Sequence, residues 1–280
     1  MNETFGKSRT IHTVRWLEVD NLLRALEPQE YYASLHERKI IKWRIDSVAD
    51  EIRKWLLPVI DLTEFVFAYH TNGTHSAIEQ WLASESRPIC CLSGEYPYPR
   101  HLRRDILVVN TVSEIPPNHI VFISNPFSSS GKYDSRYQMI TNPVILDCAY
   151  VGTTATARIN LTPNTEQVFW SGSKPFGIGH FRTGFRFCRK PDLLQEQLKD
   201  TGYFNWFGIE LLDRCVKLWS VDTAYNNLAE AYIKLCETYE LMPSDTYLIA
   251  SSLNDEYNHL AREDGIIRIP TGLMLDAAWR

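Results

Sequence analysis

The chain has 280 residues, 44% of them hydrophobic and 22% charged, which is the balance of a globular protein with material for one large core or two modest lobes. Its formal net charge of −5 argues against a nucleic-acid partner, and no run of about 18 apolar residues is present to span a membrane. The polar start, without an apolar signal core, and six cysteines without a CxxC pair read as a cytoplasmic protein with reduced, buried thiols and no metal site.

Residues 17–57 are rich in helix formers, and Val48, Ile52, Trp55 and Leu56 recur at helical spacing. This predicts an N-terminal helical region over 1–58, ending at Pro58. Its aromatic residues Trp16, Tyr31, Tyr32, Trp43 and Trp55 suit either a partner interface or the region's own core. Short β-rich runs follow at 65–69, 106–109, 120–123, 144–146 and 167–170, most of them apolar on consecutive residues. Strands covered on both faces have this pattern, and 75–84 reads as a helix between them. Residues 59–215 are therefore expected to form a large α/β domain, a mostly parallel sheet sandwiched by helices. The basic cluster at 100–104 reads as a solvated face. From residue 190 the pattern is helical, with a long amphipathic stretch over 206–241 interrupted near Ser220-Val221-Asp222. A strand at 246–250, a helix at 254–262 and a last strand at 265–269 complete a small C-terminal α+β lobe over 216–280.

Three clusters carry chemistry. In Tyr69-His70-Thr71-Asn72-Gly73-Thr74-His75 a buried strand runs through a turn into a helix. A helix N-terminus offers free N–H groups to a phosphate, Gly73 permits close approach, and Thr74 adds a hydroxyl; a plain N-cap needs only Thr74. Asn125-Pro126 ends one strand, and Asp147-Cys148-Ala149-Tyr150 ends another, where α/β sheets place ligands. In Trp170-Ser171-Gly172-Ser173-Lys174-Pro175, a lysine among small and apolar residues is set to lose solvent, which lowers its pKa and frees its amine to attack a carbonyl. Ser171 and Arg182 flank it, and both could reach one phosphate, Arg182 through its planar fork of donors.

The order of these clusters, Asn-Gly-Thr, Asn-Pro, Asp-x-x-Tyr and Ser-x-Ser-Lys followed by Arg-x-Gly, resembles the fold-type I enzymes that use pyridoxal 5′-phosphate (PLP). It is most similar to the class I/II aminotransferases, in a shortened form and over about residues 61–187. The resemblance implies a PLP-dependent transferase-like fold and a PLP Schiff base (aldimine) on Lys174. It also implies that Asp147 keeps the pyridine nitrogen protonated, that Tyr150 and Asn125 bond the ring's phenolic oxygen, and that Tyr96 stacks on the ring, with Tyr98 second. Gly73, Thr74, Ser171, Ser173 and Arg182 would then hold the phosphate. The arginine that grips the substrate carboxylate lies in the family's C-terminal lobe. Arg268 is assigned here, with Arg280 and Arg44 as alternatives.

The function expected on this basis is transamination of an amino acid by a homodimeric cytoplasmic enzyme of amino-acid metabolism. Two alternatives stand beside it. One is a PLP-dependent lyase, decarboxylase or cyclase of specialised metabolism; the other is a PLP-binding protein without turnover.

Overall fold

In the computed structural model, the structure describes residues 11–25, 38–155, 158–202 and 204–278. Tyr31, Tyr32 and Arg280, singled out above, lie outside the described residues. Two helices open the fold, α1 (Leu17–Ala25) and α2 (Arg38–Leu56). Along α2 the residues Ile45, Val48, Ala49, Ile52 and Leu56 are all buried, as one apolar stripe requires. The helix stops two residues before Pro58, because a proline disfavours helical backbone at the residue before it. Trp16 and Trp55 are buried, whereas Trp43 is 65% exposed.

Seven strands form the central sheet: β1 (Phe67–Thr71), β2 (Ile89–Leu92), β3 (Leu107–Val109), β4 (Ile120–Ser124), β5 (Val144–Asp147), β6 (Thr165–Ser171) and β7 (Gly184–Cys188). Their order is β1-β7-β6-β5-β4-β2-β3. Strands β2 to β6 pair in parallel, while β7 runs antiparallel between β6 and β1. Consecutive apolar residues divide between the two faces. Ile120, Phe122 and Ile145 join Trp81 and Phe169 on one side, and Val121, Ile123, Val144 and Leu146 join Ile52 and Trp170 on the other. Helix α3 (Gly73–Ser84) supplies Ala77, Ile78 and Trp81 to the first face. On the second, α2 packs with α5 (Leu193–Thr201) and α6 (Trp206–Leu218). A short helix, α4 (Tyr98–Leu102), follows β2.

Strands β2 and β7 were not expected from the sequence. β2 is four residues long with Cys90 and Cys91 at its centre, and β7 opens on a glycine and buries Arg186. Arg186 tolerates burial because Gln167 accepts from its Nε at 2.7 Å and Asp192 lies 2.9 Å from Nη1. β1 starts two residues later than expected, since Phe65 closes a turn on Leu62 and Val66 is exposed.

The remaining chain forms α7 (Thr223–Thr238), a three-stranded antiparallel sheet of β8 (Met242–Pro243), β9 (Ile249–Ser252) and β10 (Ile267–Pro270), and α8 (Gly272–Ala278). The strand expected at 246–250 lies later because Ser244 Oγ, bonded to the carbonyls of Thr246 and Ile249, folds 244–248 into a turn. The helix expected at 254–262 is a 3₁₀ turn over Asp255–Leu260, and α8 was not expected. The expected 215/216 boundary falls inside α6, whose Ile209, Leu212 and Val216 belong to the main core. No helix among the described residues is long and apolar enough to cross a membrane. Among the same residues no group of three or more His, Cys, Asp or Glu could hold a metal ion.

Candidate functional site

Because β1 to β6 all point the same way and β7 the opposite way, one edge of the sheet collects six strand ends and the start of β7. The sequence clusters all arrive there. A cavity of about 400 Å³ opens at this edge, and Thr74, Tyr96, Asp147, Tyr150, Ser171, Ser173, Lys174, Arg182 and Arg268 all line it. Gly73 borders it. Asn125 does not line it: its Oδ1 accepts from the Asp134 backbone N–H at 3.1 Å and shapes the loop after β4 instead.

Asp147 is the last residue of β5, in register with Ser124 at the end of β4. Its carboxylate is buried, and Oδ1 accepts from the Ala149 N–H at 3.0 Å. Burial pushes its pKa up to about 7; the nearby Lys174 opposes that rise and Glu95 adds to it. Lys174 lies three residues past the end of β6, and its Nζ sits 5.0 Å over the centre of the Tyr150 ring. Loss of solvent pulls the amine down to about 8, Asp147 resists, and Arg182 and Arg268 reinforce the fall. The pair therefore combines an amine whose charge burial weakens with a carboxylate that burial pushes toward its protonated form.

The anion-holding end is built around Gly73, which starts α3 with φ of +79°. A Cβ there would stand 3.4 Å from Ser171 Oγ and 3.6 Å from Arg182 Nη2, so the guanidinium lies against the glycine backbone. Asn72 makes no side-chain cap, which leaves the first N–H groups of α3 without that partner beside the cavity. Ser171 Oγ donates to the Thr183 carbonyl at 3.0 Å and accepts from the Ser173 N–H at 3.2 Å. Ser173 Oγ is buried without a hydrogen-bond partner. Arg182 has φ of +44°, unusual outside glycine, and Asn205 Nδ2 fixes this turn by donating to the Phe181 carbonyl at 2.9 Å.

One wall is aromatic. Tyr96 bonds His75 Nε2 through its hydroxyl, and Tyr98 stacks on the His75 ring with centroids 4.3 Å apart. Tyr96 is held by Glu95, a fully buried acid not anticipated from the sequence. Glu95 accepts from the N–H groups of Tyr96 (2.6 Å) and Ser124 (2.7 Å) and from Ser124 Oγ (2.5 Å). Burial raises its pKa against the pull of these donors.

The roof comes from the C-terminal sheet. Arg268, on β10, is buried and donates from Nη1 to the Ser128 carbonyl at 2.8 Å. Arg262 also lines the cavity, as do His75, Ser124 and Ser128, whose Oγ is a second buried hydroxyl without a partner. Sequence alone gave these no role; the one signal for Arg262 was a second arginine six residues before Arg268. Arg44, an alternative carboxylate anchor above, is not at the site: Glu210 takes its Nε and Nη2 at 2.7 Å each, and Asp213 takes Nη2 at 2.8 Å, across the α2–α6 contact.

No protein-family model matches the chain, and no curated protein matches it. Solved structures do match. The histidinol-phosphate aminotransferase from Sinorhizobium meliloti, in complex with pyridoxal-5′-phosphate, aligns over 95% of this chain and 86% of its own at TM-score 0.68 and 14% identity. An aminotransferase from Mycobacterium tuberculosis aligns over 98% and 94% at TM-score 0.64 and 16% identity. The L-threonine-O-3-phosphate decarboxylase from Porphyromonas gingivalis aligns over 96% and 98% at TM-score 0.63 and 13% identity. The chain has the fold that these proteins share, the PLP-dependent transferase-like fold of type I.

Proposed function

We propose that this protein is an enzyme that binds pyridoxal 5′-phosphate through Lys174 and transfers the amino group of an amino acid. The observation that carries the proposal is the enclosure of Lys174 and Asp147 together at the C-terminal edge of the parallel strands. There the amine is shifted toward neutrality and the acid is short of positive charge.

The residues present suit that cofactor at both ends. Gly73, Thr74, Ser171, Ser173 and Arg182 offer a phosphate a helix N-terminus, hydroxyls and a guanidinium, and the unpartnered Ser173 Oγ has a donor to give. At the other end the raised pKa of Asp147 marks a carboxylate that a cationic ring nitrogen would compensate. When bound, the cofactor supplies an electron-poor ring that takes up the electron pair of a bond broken at the substrate carbon.

The chain's own residues do the rest. Asp147 holds a proton on the ring nitrogen. Lys174 would carry a proton to and from the substrate carbon, a role suited to an amine with a lowered pKa. Tyr96 excludes water from one wall, Tyr150 stands by for the ring's phenolic oxygen, and Arg268 grips the substrate carboxylate. We further propose a cytoplasmic homodimer, with a division of each protomer at residues 219–222, where α6 gives way to α7.

The test is borohydride reduction of the PLP-loaded protein followed by peptide mass spectrometry, then incubation with amino acids. A pyridoxyl group on Lys174 and a keto acid product are expected. A protein that stays colourless and unlabelled contradicts the proposal. Release of carbon dioxide favours the decarboxylase alternative, which the shared fold with the Porphyromonas gingivalis decarboxylase keeps open.

A further inference from the structure

The aromatic wall of the cavity is tied to helix α3 at two points one turn apart. His75 and Glu79 stand four residues apart on α3 and so share a face of it. Tyr96 and Tyr98 flank Pro97 in the chain that leads into α4. Tyr96 Oη bonds His75 Nε2, and Tyr98 Oη donates to Glu79 Oε1. Glu95 accepts from the Tyr96 backbone N–H at 2.6 Å. Tyr96 is therefore held at both ends, its backbone by a buried acid and its hydroxyl by the helix whose first turn borders the anion-holding end.

The ring geometry says what this arrangement makes. The planes of His75 and Tyr96 are 6° from parallel, with centroids 5.6 Å apart. Two rings in face-to-face contact lie about 3.5–4.0 Å apart, farther than a hydrogen bond between them permits. The two rings therefore lie edge to edge, close to one plane. Tyr98 covers a face of His75, with centroids 4.3 Å apart and planes 26° from parallel. His75 and Tyr96 both line the cavity, and Tyr98 does not. The result is a flat surface two rings wide, backed by Tyr98 and turned toward the cavity.

The bond between the rings has a direction. Burial raises the pKa of the Tyr96 phenol, which keeps its proton and needs an acceptor. Neutral imidazole has one acceptor nitrogen and imidazolium has none. Burial lowers the pKa of His75, Arg182 and Lys174 lower it further, and Glu79 opposes them. The imidazole is thus kept in the neutral form that accepts from Tyr96.

We infer that His75 is a positioning residue of this site: it takes the hydroxyl of Tyr96 and so fixes the plane in which that ring meets the cofactor. The inference rests on the proposed function for the identity of the ligand that the wall faces. The coupling of the two rings does not depend on it.

The experiment uses the full chain loaded with PLP, and compares Tyr96→Phe, His75→Phe and the double variant. Each single variant keeps a flat ring and removes one partner of the bond. Visible circular dichroism of the bound cofactor reads the orientation of its surroundings, and calorimetry reads PLP affinity. Both single variants are expected to change the dichroism in the same sense and to weaken PLP binding about 3- to 10-fold, the share of one hydrogen bond. The double variant is expected to be no weaker than the weaker single one, because the second change finds the bond already gone. His75→Gln, which offers a carboxamide oxygen, should recover part of the loss. The inference is overturned if the two losses multiply in the double variant, or if His75→Phe lowers the melting temperature while dichroism and affinity stay as they were. Should His75→Phe fail to fold, NMR titration of His75 in the unloaded chain decides. The phenol bond favours the neutral ring, so Tyr96→Phe should raise the His75 pKa, and an unmoved pKa overturns the inference. An unlabelled Lys174 after borohydride would remove the proposed function alone, and the same titration would still show whether Tyr96 and His75 are coupled.

Discussion

The Lys174 amine lies 5.0 Å over the centre of the Tyr150 ring. That face is an attractive place for an ammonium ion, and the Asp147 carboxylate also favours the charged form, yet desolvation outweighs both and brings the amine down to about 8. The balance is fine enough that small changes around it should move it.

The amine attacks an aldehyde only when neutral, so its attachment to pyridoxal 5′-phosphate should speed up as pH rises through about 8 instead of through the ordinary lysine range. Asp147 is the group that holds this midpoint up. Asp147→Asn is therefore expected to lower it, while weakening retention of the cofactor by about tenfold or more through loss of the charged partner. Stopped-flow absorbance across pH 6–10 checks both statements. A midpoint unchanged by Asp147→Asn would contradict the coupling of the two residues.

Glu95 is expected to act as a positioning residue for the aromatic wall. Glu95→Ala strips the acceptor from the Tyr96 and Ser124 N–H groups and from Ser124 Oγ, and each buried donor left alone costs about 1–3 kcal/mol. A loss of several kcal/mol in urea unfolding is expected. Glu95→Gln keeps an acceptor and should cost less. It also removes a negative charge that raises the pKa of Asp147, so the Asp147 carboxyl, followed by carbon-detected NMR, should titrate below its value in the unaltered protein.

What the sequence made legible follows from what each element buries. Strands β4 and β5, and β6 from Val168 to Trp170, are covered on both faces and so are written as consecutive apolar residues, and their ends carry Asn125, Asp147 and Ser171 in readable order. β2 and β7 escaped notice for the opposite reason: thiols, an opening glycine and a buried arginine do not spell a strand until Gln167 and Asp192 arrive from elsewhere. At the site, Lys174 and its flanking serine and arginine sit close in sequence, which made them visible together. Glu95 owes its place to a long-range contact with Ser124, and Arg262 to the turn that leads into β10. Asn125 shows the converse limit, since its position along the chain is that of a ligand residue while its Oδ1 takes the Asp134 N–H and the side chain does not line the cavity.

Gly73 is expected to resist substitution for two separable reasons. Its φ of +79° costs an L-residue about 1–2 kcal/mol, and a methyl group would enter the space between Ser171 Oγ and Arg182 Nη2. Gly73→Ala should therefore lower the unfolding free energy by about that amount and also weaken inorganic phosphate binding to the unloaded protein. Calorimetry with phosphate separates the two effects, because loss of stability with unchanged phosphate affinity would leave Gly73 as a turn glycine only.

His70 gives the fold a predictable acid sensitivity. It is fully buried beneath the Gly73 turn, with Nε2 3.1 Å from Thr183 Oγ1 and the rings of Phe185 and Phe204 edge-on to it at 5.6 and 6.0 Å. Burial alone pulls its pKa from 6.5 down to about 3. The unfolded chain therefore binds a proton in a range where the folded chain does not. Stability contributed by the neutral ring is fully present above about 6.5, and it is lost as pH falls from there toward 3 at up to about 1.4 kcal/mol per pH unit. Between pH 6.5 and 5 the loss comes to about 1.5 kcal/mol. His70→Gln keeps a polar partner for Thr183 without the titration. Urea unfolding of both proteins at pH 6.5 and pH 5 should show the unaltered chain losing about that much more than the variant. Equal losses would mean that the imidazole is already protonated in the folded protein, with Thr183 or the adjoining turn rearranged to receive the charge.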